Sequence, residues 1–135
     1  MIFVDTNVLL DVVENDPIWA DWSRSQLVAA AGLGEVAVND VVYAELAVGY
    51  DRIEDLEVMI TRLGIVLVPI PRIALFVAGK AFRRYRLAGG VRTGVMPDFF
   101  LGAQALVAGA ELITRDVRPY RTYFPGLALI APTPN

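Results

Sequence analysis

The chain has 135 residues, 56% hydrophobic and 20% charged, which is enough apolar material for one packed core and too much for a disordered chain. It contains no cysteine and no histidine, which excludes disulfides, thiolate or imidazole metal sites and the usual histidine general base. The net charge of −3 is unevenly spread: residues 1–71 hold 3 Arg against 12 acids, whereas residues 72–135 hold 8 Arg and 1 Lys against 3 acids.

Ile2-Phe3-Val4 is continuously apolar and reads as a short strand buried on both sides. It stops at Asp5. From Thr6 the apolar residues Val8, Leu9, Val12 and Val13 recur at helical spacing, up to a break at Asp16-Pro17. Residues 19–32 predict a helix stopped at Gly32 or Gly34, and 35–38 a second strand. Asn39 suits an N-cap for a helix over 40–50. Asp51 begins another helix, with Ile53, Leu56, Ile60 and Leu63 on one stripe and Gly64 as its stop.

Residues 65–68 predict a third strand, Pro69 and Pro71 punctuate, and 72–88 form a long helix before Gly89-Gly90. A loop over 91–96 leads to Pro97, which opens a helix running to about Val107, ahead of Gly109. Glu111-Leu-Ile-Thr-Arg-Asp116 reads as a fourth strand ending on a carboxylate, as the first one does. Residues 118–124 form a turn or short helix, 127–130 a possible fifth strand, and Pro-Thr-Pro-Asn a frayed tail. The N-terminus lacks the basic segment of a signal peptide, and residues 65–79, holding two prolines and Arg72, are too short and broken to span a bilayer. The expectation is one cytoplasmic domain over 1–135, with no membrane segment.

Alternating strands and helices predict an α/β fold, a parallel sheet of four to five strands with helices on both faces. Ligands of such sheets sit beyond the carboxyl ends of the strands. Asp5 and Asp116 fall at predicted strand ends, Asp98 in the first turn of its helix, and Glu45 about two turns into the helix after the second strand. Each has a bland account. Asp5 reads equally well as an N-cap, the helix dipole alone explains Asp98, and Asp116 has Arg115 and Arg118 as surface partners. Glu45 is flanked by apolar residues and risks burial, where a lone carboxylate is costly. All four at one edge is a different matter. Clustered carboxylates repel one another, and a divalent cation such as Mg²⁺ or Mn²⁺ relieves that repulsion with oxygen ligands. Thr6, Asn7 and Thr114 lie beside the acids, suited to orienting them or a water.

Asp5-Thr6-Asn7 after the first strand, Glu45 in a mid-chain helix, MPDFFLGAQAL and LITRD together resemble the PIN-domain nucleases, and more narrowly the VapC-type toxins of bacterial and archaeal toxin–antitoxin pairs. The likeness runs over essentially the whole chain in the right order. It implies a PIN-like α/β/α sandwich and a metal-dependent endoribonuclease. It places the catalytic quartet on Asp5, Glu45, Asp98 and Asp116, with Mg²⁺ or Mn²⁺ on Asp5, Asp98 and Asp116. It further implies RNA as substrate, a cognate antitoxin as partner and a homodimer or larger toxin–antitoxin assembly. Phe99-Phe100 departs from the smaller aliphatics of many relatives and reads as core packing.

Five cations and no acid lie within residues 80–92. Such a run is either a solvated helix face or a phosphate-contacting patch. Arg83, Arg84, Arg86 and Arg92, with Arg118 and Arg121, are the candidate RNA contacts, and the tyrosines of 118–124 offer stacking faces. Phosphatases of the haloacid-dehalogenase type want a second Asp where Asn7 stands. Response-regulator receivers want a lysine at a strand end, but Lys80 falls inside a helix. No G-x-G-x-x-G follows a strand, which removes dinucleotide binding. The rival of another class is a PIN-fold binding module, weak or inactive in catalysis, whose acidic groove docks a partner protein. The intact acid set favours catalysis.

Overall fold

A computed structural model describes residues 1–133. In chain order the elements are β1 (Ile2–Val4), α1 (Thr6–Val13), α2 (Ala20–Leu33), β2 (Val36–Val38), α3 (Asp40–Ala47), α4 (Ile53–Arg62), β3 (Ile65–Leu67), α5 (Arg72–Leu87), α6 (Pro97–Ala108), β4 (Glu111–Ile113), α7 (Arg118–Tyr123) and β5 (Leu129–Ile130). The five strands pair in parallel in the order β3-β2-β1-β4-β5. Every residue of β1 and β2 is buried. Successive strand side chains point to opposite faces, so helices cover both faces of the central strands and the fold is an α/β/α sandwich.

The strand order has a physical consequence. The chain adds β2 and then β3 on one side of β1, then returns to place β4 on the other side. The switch therefore lies between β1 and β4, where a parallel sheet opens a crevice at its carboxyl edge.

Local chemistry sets the helix limits. Asn39 caps α3 by accepting the Val42 amide at 2.9 Å. Pro97 occupies the first turn of α6, and Gly109 ends it in the left-handed conformation at φ 65°. Buried Gln104 donates to the carbonyls of Val68 and Pro69 at 3.2 and 3.0 Å, which ties α6 to the chain leaving β3. Helix α3 also packs on α6, so the carriers of Glu45 and Asp98 touch.

Several element limits differ from the sequence reading. β4 ends at Ile113 rather than Asp116, leaving Asp116 on the loop beyond it. Thr114 instead bonds its own loop, accepting the Asp116 amide at 3.1 Å, a local side-chain bond that competes with strand extension. β5 covers only Leu129–Ile130, and α3 stops at Ala47, before Gly49. Residues 118–123 are helical. On α4, Leu56 is buried but Ile53 is 64% exposed, so the apolar stripe packs only from its second turn. Of the expected frayed tail, Pro132 and Thr133 are irregular, and residues 134–135 lie outside the described residues.

Candidate functional site

The register of β1 against β4 starts the site. Val4 lies opposite Ile113, and the Asp5 amide donates to the Ile113 carbonyl at 2.9 Å. Asp5 and Thr114 thus leave the sheet side by side, and Thr114 Oγ1 donates to Asp5 Oδ2 at 2.9 Å. Asp5 holds the N-cap position of α1 with extended backbone, yet its carboxylate makes no capping hydrogen bond. The capping account therefore fails for this residue. Its carboxylate accepts instead from Thr114 and from the hydroxyl of Tyr120, which lies 3.0 Å from the same Oδ2.

Tyr120 also reaches the second acid, with its hydroxyl 3.4 Å from Asp98 Oδ1. Asp98 stands in the first turn of α6, as the sequence predicts. Glu45 arrives from α3, where Thr6 Oγ1 donates to its Oε1 at 2.8 Å. Contrary to the expected burial, Glu45 is exposed: Val42 and Leu46, one turn apart, form the buried stripe of α3, and Glu45 lies off it. Asp116 is exposed on its loop. Arg115 does not pair with it. Arg115 turns to buried Asp11, its Nε and an Nη donating to the two carboxylate oxygens at 2.9 and 3.1 Å. Asn7 is exposed, and its side chain takes no part in the hydrogen bonds among the described residues.

The electrostatics tie the four acids together. Burial raises the Asp5 carboxyl above its ordinary range, against the opposing pull of the Thr114 and Tyr120 hydroxyls. Asp98 is pushed up to about 6, first by burial and then by the negative charges of Asp5, Glu45 and Asp116. Asp98 thus feels all three other members of the quartet. Burial, then the charges of Asp5 and Asp98, lift the Tyr120 phenol well above its usual value, so at neutral pH it is a hydrogen-bond donor.

The donor set is all oxygen, which suits Mg²⁺ or Mn²⁺ and not a thiophilic metal. Among the described residues no three acids converge closely enough to cage an ion by themselves. Mg²⁺ keeps several waters and takes only one or two carboxylates directly. That coordination suits acids bridged by hydroxyls around an open edge.

The candidate RNA contacts divide. Arg84 donates to the Tyr123 carbonyl and Arg86 to the Arg92 carbonyl, both at 2.8 Å, so these two guanidinia brace the protein. Arg83, Arg92, Arg118 and Arg121 are exposed, and no ion pair among the described residues involves them. Tyr120 is fully buried and offers no stacking face. Tyr123 leans on Phe99 at 5.0 Å between ring centroids. Phe99 is buried, as core packing requires. The sequence reading missed Tyr120 as a partner of the acids, and Asp11 as the anchor of Arg115. One signal pointed to the first: Gly102, inside a helix and one turn after Asp98, marks a place where something packs closely.

The PIN domain profile matches residues 2–125. A comparison with curated protein sequences finds no match. Among solved structures, the chain is similar to VapBC2 from Rickettsia felis bound to a DNA fragment from its promoter, at 19% identity and a TM-score of 0.75, covering 98% of this chain and 100% of that one. It is also similar to VapBC-1 from nontypeable Haemophilus influenzae, at 20% identity and a TM-score of 0.69, over 97% of this chain and 98% of that one. A toxin–antitoxin complex from Klebsiella pneumoniae matches at 20% identity and a TM-score of 0.69, over 100% of this chain and 98% of that one. At such identity these structures speak for the fold, and with the profile spanning most of the sequence, the chain belongs to the PIN-domain family.

Proposed function

We propose that this chain is a divalent-metal-dependent endoribonuclease, the toxin of a toxin–antitoxin pair acting in the cytoplasm. The carrying observation is the meeting of acids at the carboxyl edge of the sheet: the Tyr120 hydroxyl lies 3.0 Å from Asp5 and 3.4 Å from Asp98, and Asp98, raised first by burial, also feels the charges of Asp5, Glu45 and Asp116. Among the described residues no ion pair involves a member of the quartet: the pairs are Arg24–Asp21, Arg52–Glu54 and Arg115–Asp11, and Arg115 feels Asp5 only from outside pairing distance. A carboxylate cluster without a protein cation is suited to a cation from solution.

In this reading Asp5, Asp98 and Asp116 would hold Mg²⁺ or Mn²⁺, which when bound makes a water more acidic and offsets charge on the phosphate oxygens. Asp5 is fixed from two sides, by the sheet register and by two hydroxyls on Oδ2. Asp98 enters from the start of α6, and Asp116 from a loop that Thr114 pins. Glu45, exposed and aligned by Thr6, orients the attacking water and accepts its proton. Exposed Arg83, Arg92, Arg118 and Arg121 meet the RNA backbone.

The likeness to solved toxin–antitoxin complexes supports an antitoxin partner; in this reading that partner covers the acidic edge and the toxin assembles as a homodimer. The test is cleavage of a mixed RNA pool by partner-free protein with Mg²⁺ or Mn²⁺, with EDTA, and with Asp5→Asn and Asp98→Asn. Cleavage abolished by EDTA and by both substitutions is expected. Folded, partner-free protein that cuts none of several RNAs would overturn the nuclease and leave a domain whose acidic edge serves docking.

A further inference from the structure

We infer that Tyr120 is a positioning residue for the metal-binding carboxylates, and that Gly102 is the gap through which it reaches them. The inference rests on the metal site proposed above and adds two residues to it. Tyr120 is fully buried in α7, and its hydroxyl lies 3.0 Å from Asp5 Oδ2 and 3.4 Å from Asp98 Oδ1. Among the described residues it is the one side chain within hydrogen-bond distance of two of the quartet's carboxylates, since Thr114, which also joins two members, meets Asp116 only through its backbone.

The direction of those bonds selects oxygens. The hydroxyls of Thr114 and Tyr120 both fall on Oδ2 of Asp5, and the single Tyr120 proton is shared between that oxygen at 3.0 Å and Oδ1 of Asp98 at 3.4 Å. Asp5 Oδ1 and Asp98 Oδ2 receive no hydroxyl, and in this reading they are the oxygens that would meet a cation. A carboxylate held by one oxygen presents the other in a fixed direction, and removing such outer partners typically weakens metal binding about 10–100-fold.

The reach of Tyr120 depends on α6. A Cβ at Gly102 would lie 2.7 Å from Phe124 Cδ2 and 3.1 Å from Tyr120 Cδ1. Asp98 and Gly102 are four residues apart and share a helix face. The missing side chain lets α7 settle on the turn just below the acid. A glycine inside a helix costs about 1 kcal/mol relative to alanine, and the close approach of α7 accounts for its presence here.

The experiment is Mn²⁺ titration by calorimetry on the full chain, as wild type, Tyr120→Phe and Asp98→Asn, with the melting temperature of each metal-free protein. Tyr120→Phe keeps the ring and removes only the hydroxyl. It should bind Mn²⁺ about tenfold more weakly than wild type, while Asp98→Asn loses binding more severely. A merely structural hydroxyl would shift the melting temperature and leave the affinity alone. Wild-type affinity in folded Tyr120→Phe, with Asp98→Asn impaired, would overturn the positioning role and spare the metal site. A wild type that binds no Mn²⁺ would overturn both. Should Tyr120→Phe fail to fold, Thr114→Val removes the other donor from the same oxygen, and the same loss and the same overturning result apply to it.

Discussion

Asp5, at the N-cap of α1, and Asp11, inside that helix, are both buried, at 6% and 3% exposure, yet their surroundings are opposite. Asp11 has a guanidinium on both oxygens, from Arg115, and the Ser23 hydroxyl at 2.7 Å. Arg115 is itself held over the Trp19 ring, 5.3 Å from its centroid. Asp5 has two hydroxyls and, among the described residues, no ion-pair partner. A buried charge that serves the fold is paired, because an unpaired one is costly. A buried charge left with neutral donors keeps its field for something that arrives from solution. The two aspartates also meet in one loop: Thr114 serves Asp5, and Arg115, the next residue, serves Asp11. The structural pair thereby anchors the segment that carries Asp116.

The largest expected contrast comes from exchanging each acid for its amide. Asp5→Asn should lower RNA cleavage by at least about a hundredfold with little loss of stability, since it removes an uncompensated buried charge. Asp11→Asn should do the reverse, lowering stability by about 2 kcal/mol through an orphaned arginine while leaving much of the activity. Urea denaturation beside a cleavage assay reads both. If Asp11→Asn abolished cleavage without touching stability, the division of labour would be wrong.

Proton linkage sharpens the comparison. The carboxyl of Asp98 is raised from 3.8 to about 6 in the fold. A raised carboxyl favours the folded state when protonated. Its contribution is therefore full below about pH 4 and is lost as pH rises through about 6. In EDTA, wild type should lose of order 2 kcal/mol relative to Asp98→Asn between pH 4 and pH 7.5. Parallel pH profiles for the two proteins would contradict a carboxyl raised by burial and by the neighbouring acids.

Gly102→Ala should cost about 1–2 kcal/mol by overpacking against Phe124, reversing the usual gain from alanine inside a helix. A stabilised variant would mean that α7 yields without strain. The smallest effects concern the arginines. Removing Arg83 or Arg121 should reduce the salt dependence of RNA binding by about 0.7 each in the log–log slope. Arg84→Ala should leave that slope alone and cost about 1 kcal/mol of stability, because its guanidinium is bonded to the Tyr123 carbonyl.

The strand–helix alternation, the helix stops and the placement of Asp5 and Asp98 were legible because each rests on local chemistry. Apolar runs mark strands, Asn39 and Pro97 mark helix starts, and Gly109 marks a stop. The end of β4 was misread because Thr114 has two competing uses, as a strand residue and as a side-chain acceptor for its own loop, and the pattern LITRD does not say which prevails. The exposure of Glu45 was misread because its apolar neighbours lie on different sides of α3, of which only the stripe of Val42 and Leu46 is buried.

By itself, then, the sequence determined the parallel α/β class, the places of Asp5 and Asp98 at their helix starts and the absence of histidine and cysteine side chains. Periodicity and residue type are properties of the chain. The tertiary structure alone decided which acid has a cation and which does not. Arg115 neighbours Asp116 in sequence but pairs with Asp11, 104 residues away, and Tyr120 joins Asp5 across 115 residues. Those choices depend on the parallel pairing of β1 with β4 and on the space left at Gly102. A glycine inside a helix signals a close approach, but no local pattern says which partner makes it.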